Sequence, residues 1–185
     1  MRKLILAGLL LSAILSLNAA DFRNATWGMT AAQVKKAETS HLEESSDDQL
    51  DFSAVLDSQP VLISYYFENG ALVGGGYRFT QEHRETQKYI EDYQGLQEQL
   101  VKKYGAPASE NRLCDDPFYS DYPRRWGTAV VVGKMTLSSS WNTPKLVLTH
   151  SMRVLPGGNV GHEVQYHPAA PARSSFGGKE LLGAL

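Results

Sequence analysis

The chain has 185 residues, with 18 Lys and Arg against 20 Asp and Glu, a formal charge of −2 and a single cysteine, Cys114. So mild an acidity argues against a nucleic-acid binder, which needs a basic surface to neutralise phosphates and release counterions. One thiol excludes an intramolecular disulfide, and without a CxxC partner it has no evident means of lowering its pKa for redox work.

Met1-Arg2-Lys3, the apolar run from Leu4 to Leu17 and the small residues Asn18-Ala19-Ala20 are the three parts of a secretory signal peptide. An apolar run of about 14 residues is too short to cross a bilayer as a helix. No cysteine closes the run, so no thiol is offered for a lipid anchor. Removing residues 1–20 takes Arg2 and Lys3 away and leaves 16 basic against 20 acidic side chains. The expectation is a periplasmic protein, with secretion beyond the envelope as the alternative, built as one α+β domain over 21–166. Residues 167–185, which include Pro168-Ala169-Ala170-Pro171-Ala172, follow neither helical nor strand period and read as a disordered tail.

Thr30 with Gln33 makes a capping box, and Ala31, Val34 and Ala37 recur at helical spacing, predicting a short helix over 30–38. Thr39 to Asp48 carries Glu43, Glu44, Asp47 and Asp48 without apolar anchors and reads as a solvated loop; it lacks the ligand spacing of an EF-hand. Leu50, Phe52, Ala54 and Leu56 alternate as a half-buried strand. Asp57 to Pro60 turns the chain. Val61 to Phe67 and Leu72 to Phe79 flank Asn69-Gly70, a hairpin signature. Gly74, Gly75 and Gly76 weaken that second strand and mark a bulge or the close approach of another element.

Tyr89, Ile90, Tyr93, Leu96, Leu100, Val101 and Tyr104 line one side of a long amphipathic helix over 85–104, stopped by Gly105 and Pro107. Ala106 to Arg125 is far longer than the usual connection. Thr128 to Val132 and Met135 to Trp141 read as one strand bent at Gly133. Leu146 to Val154 returns as its hairpin partner, and Val160 to Tyr166 as a weaker third strand. The fold class is α+β: an antiparallel sheet packed by one long and one short helix, in the order helix, three strands, long helix, two or three strands.

Phe22-Arg23 through Trp27-Gly28-Met29 into the Val34 helix, Tyr65-Tyr66-Phe67 before Asn69-Gly70, and Lys103-Tyr104-Gly105-Ala106-Pro107 resemble a group of small exported proteobacterial proteins of uncharacterised function. More distantly, a helix leading twice into antiparallel strands is similar to the β-lactamase-inhibitor-like fold, shared with the small lipoprotein of the outer-membrane β-barrel assembly machinery. That resemblance implies a binding or assembly role and supplies no catalytic residues.

The residues themselves name no reaction. His41, His83, His150, His162 and His167 do not cluster in sequence, and His162 and His167 are five apart where a zinc-protease helix needs four. His150, on the face of Leu146, Leu148 and Met152, reads as a hydrogen-bonded core residue. No nucleophile turn exists, and neither a metal nor a cofactor site is expected. The candidate partner-binding residues are Phe118, Tyr119, Tyr122, Arg124, Arg125 and Trp126, aromatic and Arg types that anchor protein interfaces; the competing reading is that these aromatics pin the loop to its own domain. The function expected is a non-enzymatic module that binds another envelope protein, the partner being no nucleic acid. A small-molecule or lipid carrier with a cavity between helix and sheet is the alternative, and a hydrolase the lesser one.

Overall fold

A computed structural model describes residues 20–169; residues 1–19 of the expected signal peptide and the expected tail beyond Ala169 lie outside the described residues. Helix α1 (Ala31–Ala37) starts as its capping box dictates, with Gln33 Oε1 accepting from the Thr30 N–H at 2.8 Å while Thr30 Oγ1 accepts from the Gln33 N–H. Strands β1 (His41–Ser45), β2 (Gln49–Leu56), β3 (Gln59–Glu68) and β4 (Ala71–Phe79) follow, then helix α2 (Gln87–Tyr104) and strand β5 (Ser109–Leu113). Next come two short helices, α3 (Pro117–Ser120) and α4 (Trp126–Val131), with a 3₁₀ turn at Pro123–Arg125 between them. Strands β6 (Thr136–Asn142), β7 (Leu146–Val154) and β8 (Val160–Pro168) end the described chain.

All eight strands form one antiparallel sheet in the order β1-β2-β3-β4-β8-β7-β6-β5. Each half is thus a helix followed by a four-strand meander, and the halves meet where their last strands, β4 and β8, pair from Gly75↔Tyr166 to Phe79↔His162. The turns obey the local chemistry. Asn69 and Gly70 both take positive φ, as do Asp57 and Ser58, the two-residue geometry whose twist suits a hairpin.

The α+β reading stands, but the inventory of elements is corrected. Among the described residues, four helices and eight strands replace two helices and five or six strands. The solvated loop expected before Gln49 contains β1, and the long connection after Ala106 contains β5 and α3; both strands are exposed at every position, so neither carries an apolar alternation to read. Residues 128–131, expected as strand, are helical. There Gly127 lies so close to the start of α2 that a Cβ on it would come within 2.2 Å of the Thr86 carbonyl oxygen, and Ala129 and Val130 are buried beside Ile90 and Tyr93. Tertiary packing overrides the β preference of Thr and Val there. Strand β8 also runs through His167 to Pro168, beyond the expected limit of the domain.

Both long-range cores lie on one face of the sheet. One gathers Phe22, Val34, Leu50, Phe52, Ile63, Tyr65, Leu148 and Tyr166 beneath the C-terminal half of α2; the other sets Ile90 and Tyr93 of α2 with Val130, Met135 and Met152. The three glycines explain how the halves join. A Cβ at Gly75 would sit 2.4 Å from the Phe22 ring, one at Gly76 2.8 Å from the Val164 carbonyl oxygen, and one at Gly74 2.9 Å from the His167 ring. Of the two readings of that stretch, close approach holds at the glycines themselves, and a bulge lies just before them, with the register shifting between Tyr66 and Phe67 so that Val73 is left over.

Phe22 is held on that bare strand by Tyr65, Tyr77 and Tyr166, all with ring centroids 5.1–5.3 Å away. Beside it the Glu38 carboxylate, wholly buried, accepts from Arg23 Nε at 2.8 Å and Nη2 at 3.1 Å, from Tyr65 Oη at 2.6 Å, and from the N–H groups of Thr39 and Ser40. Burial alone would raise this carboxyl, but the hydrogen bonds from Arg23, Tyr65 and Ser40 overcome it and bring the pKa down to about 2. Replacing Phe22 by Ala should cost about 3–5 kcal/mol, and Gly75→Ala about 1–3 kcal/mol through overpacking. In a double-mutant cycle read by denaturant unfolding, Gly75→Ala should cost far less in the Phe22→Ala background; strictly additive costs would refute the contact.

Candidate functional site

Helix α2 lies across the sheet with Tyr93 and Gln97 on its inward face, and beneath them β7 and β8 present one histidine each. The register pairs His150 with Val164 and Met152 with His162, so the imidazoles are diagonal neighbours, Nε2 to Nε2 at 2.9 Å. Both are buried. His150 Nδ1 stands 2.9 Å from Gln97 Oε1, whose amide nitrogen donates to Ser139 Oγ at 2.9 Å; Tyr93 Oη completes the group 3.2 Å from the same hydroxyl. The rings are stacked as well, Tyr93 on His150 at 4.0 Å and Phe79 on His162 at 4.8 Å.

These contacts set the tautomers. Gln97 Oε1 can only accept, so His150 donates from Nδ1 and its Nε2 accepts the Nε2–H of His162. The result is a directed wire of neutral groups running from β8 through β7 to α2 and β6. Burial, with the neighbouring His162, holds His150 down to about 2; burial also lowers His162 to about 4, against the pull of the Asp92 carboxylate and with a small further push from His83. Asp92 itself pairs with His83, Oδ2 to Nε2 at 2.6 Å, which ties the segment before α2 to the helix.

Such a wire binds β8, β7, β6 and α2 together and resists protonation. Ser139 is buried and accepts from Gln97, and no histidine is bonded to it. Among the described residues no group of three or more His, Cys, Asp or Glu side chains is placed to hold a metal ion. Two grooves flank α2 above the network. One of about 370 Å³ is lined by Leu56, Tyr77, Phe79, Leu96, Leu100 and Tyr166, with Asp57, Glu91 and Asp92 also facing it. The other, about 290 Å³, lies toward β5 between Ile90, Tyr93, Leu137, Trp126, Glu110 and Arg112. The glycine stretch opens neither, because Phe22 fills the space above Gly75.

The six residues singled out between β5 and α4 are brought together and then divided. Tyr119 and Trp126 pack against the core, and Trp126 Nε1 donates to the Ser120 carbonyl at 3.2 Å while the Arg112 guanidinium lies 4.0 Å from its ring. Phe118 and Tyr122 face outward, 57% and 54% exposed, with the Arg125 guanidinium between their rings at 4.0 and 4.5 Å. Arg125 Nη1 also donates to the Phe118 carbonyl at 3.0 Å. Arg124 is exposed on the adjoining 3₁₀ turn. Of the four aromatics, Tyr119 and Trp126 fit the expectation of core pinning and Phe118 and Tyr122 do not. No protein-family model, curated protein or solved structure matches the chain.

The lowered imidazole pKa values fix a sign for the pH dependence of folding. An unfolded histidine binds its proton near pH 6.5 and the folded pair does not, so this stability is complete above pH 6.5 and is lost as pH falls toward about 4. Two such groups lower stability by about 2–4 kcal/mol between pH 7 and pH 5, whereas Glu38 acts separately, below about pH 4.5. Denaturant unfolding at stepped pH should show the slope, and the His150→Gln/His162→Gln double variant should flatten it whatever its stability at pH 7; an unchanged slope would assign the titration elsewhere.

Proposed function

We propose that this is an exported, non-enzymatic module of the cell envelope that binds another protein, with Phe118, Arg125 and Tyr122 at the centre of the contact. The single observation behind this reading is the Phe118–Arg125–Tyr122 sandwich. Two aromatic rings more than half exposed would ordinarily be free to rotate, yet a guanidinium between them, bonded back to the Phe118 carbonyl, holds them in one arrangement. Pre-ordered aromatic and Arg side chains bind with little side-chain entropy left to lose. Arg124 adds a second cation beside them, and Tyr119 and Trp126 anchor the segment from below. The leader-like residues 1–20 support export.

A carrier is the second reading, favoured by the 370 Å³ groove, which is of ligand size and walled by Leu56, Tyr77, Phe79, Leu96 and Tyr166. It calls for a co-purifying small molecule, visible as added mass in native mass spectrometry of gently purified protein.

A photo-cross-linking residue at position 122, in cells exporting the full chain, should trap one discrete protein that the same residue at Val55, 69% exposed on the far half of the sheet, does not. The Phe118→Ala/Arg125→Ala variant should abolish that adduct while its Tm moves by only about 2–4 °C, as expected of an exposed and a half-buried surface position. Equal trapping from both positions, or none from 122, would sink the reading.

A further inference from the structure

The two edges of the sheet are built differently. Strand β1 is blunted: a bulge breaks its register between Leu42 and Glu44, and Glu43 and Glu44 stand side by side in it. Strand β5 has none of these protections. Its register with β6 runs unbroken from Ser109↔Ser140 to Leu113↔Thr136, all five of its residues are exposed, and it contains neither proline nor lysine. Such an edge presents backbone N–H and C=O groups that only another extended backbone can satisfy as a set.

The residues of β5 specify what that backbone is. Read as an antiparallel pair about Asn111, the sequence Ser109-Glu110-Asn111-Arg112-Leu113 is complementary to itself: Glu110 stands opposite Arg112 of a second copy, Arg112 opposite Glu110, and Asn111 opposite Asn111. Glu110 and Arg112 both face the groove under α2, so the two ion pairs fall on one face of the joined sheet. The Arg112 guanidinium is already steadied 4.0 Å from the Trp126 ring, which leaves its N–H groups free at the ring edge. Other pairings are worse. Parallel β5 strands would set Glu110 beside Glu110, β1 against itself would oppose Glu43 with Glu43, and β5 centred on β1 would oppose Glu110 with Glu44. Like charges directly opposite destabilise a strand pair.

We propose that β5 is the interface between two copies of this chain, paired antiparallel about Asn111 in a closed two-fold dimer whose sheet runs continuously through both. A five-residue strand pair covers less than the ~1,200 Å² of a standard interface, so the dimer is reversible, with Kd in about the micromolar range. The closed symmetry uses up both β5 edges and leaves only the blunted β1 edges outside, which stops growth at two copies.

Sedimentation equilibrium of the full chain up to ~200 μM should show monomer and dimer. Arg112→Glu, which replaces two attractive pairs by two repulsive ones, should weaken the dimer about tenfold or more, and Glu110→Arg/Arg112→Glu should restore it to within about threefold. A second readout does not depend on the charge variants folding: in a Cys114→Ser background, Asn111→Cys should oxidise to a covalent dimer, because directly opposed strand positions lie within disulfide reach, while Ser138→Cys, one strand inward, should not. A monomer throughout the range, a dimer indifferent to Arg112→Glu, a swap that fails to restore it, or equal cross-linking at positions 111 and 138 would each overturn the proposal.

Discussion

Two four-strand meanders become one sheet only if their last strands can touch, and here that depends on a row of missing Cβ atoms. Gly74, Gly75 and Gly76 leave β4 bare just where β8 and Phe22 close on it, and every contact there is shorter than a side chain would allow. Glycine in a strand is locally unfavourable, giving up packing and costing conformational entropy. The cost is met by what the bare strand admits: the Phe22 ring among three tyrosines, and next to it a carboxylate with five hydrogen bonds. The N-terminal segment is therefore part of the core of the sheet, although α1 by itself buries only Val34.

The second half is joined by polar contacts. Under α2, two neutral histidines, a glutamine, a serine and a tyrosine satisfy one another where the first half has packed rings and an ion pair. A buried network of this kind is worth keeping only when each member has its partner, and it discriminates sharply against displaced arrangements because any shift leaves a group unpaired. A helix sliding on a purely apolar sheet would lose little; α2 moved by one turn would abandon Gln97 and Ser139 together.

Much of this could be read from the sequence because several signals are strictly local. The capping box at Thr30, the Asn69-Gly70 hairpin, the tyrosine-rich face of α2 and its stop at Gly105 depend on residues a few positions apart. What escaped depends on distant ones. β1 and β5 are strands by virtue of their neighbours alone, with both faces wet and no periodicity to betray them. Val130 and Val131 prefer strands, yet the space left by Gly127 against Thr86 makes that stretch a helix. The histidine pair is half visible, since His150 falls on the apolar face of a predicted strand and His162 lies within the next one, but only the register of β7 on β8 brings the rings together. Among the candidate interface residues, composition alone could not tell the inward Tyr119 and Trp126 from the outward Phe118 and Tyr122, a distinction set by how the short helices pack.

The Phe22 contact also orders events in time. Its ring packs on Tyr166, so one of the first described residues and one of the last share a single core. A chain emerging N-terminus first, from a ribosome or a narrow pore, can form the hairpin of β3 and β4 early and set Phe22 beside Tyr65 and Tyr77, yet the side of the ring that Tyr166 covers stays open until β8 is out. Pairings this distant close slowly, after the local ones. The two halves therefore close on one another last, when β8 pairs with β4 along the glycines and Tyr166 reaches the Phe22 ring.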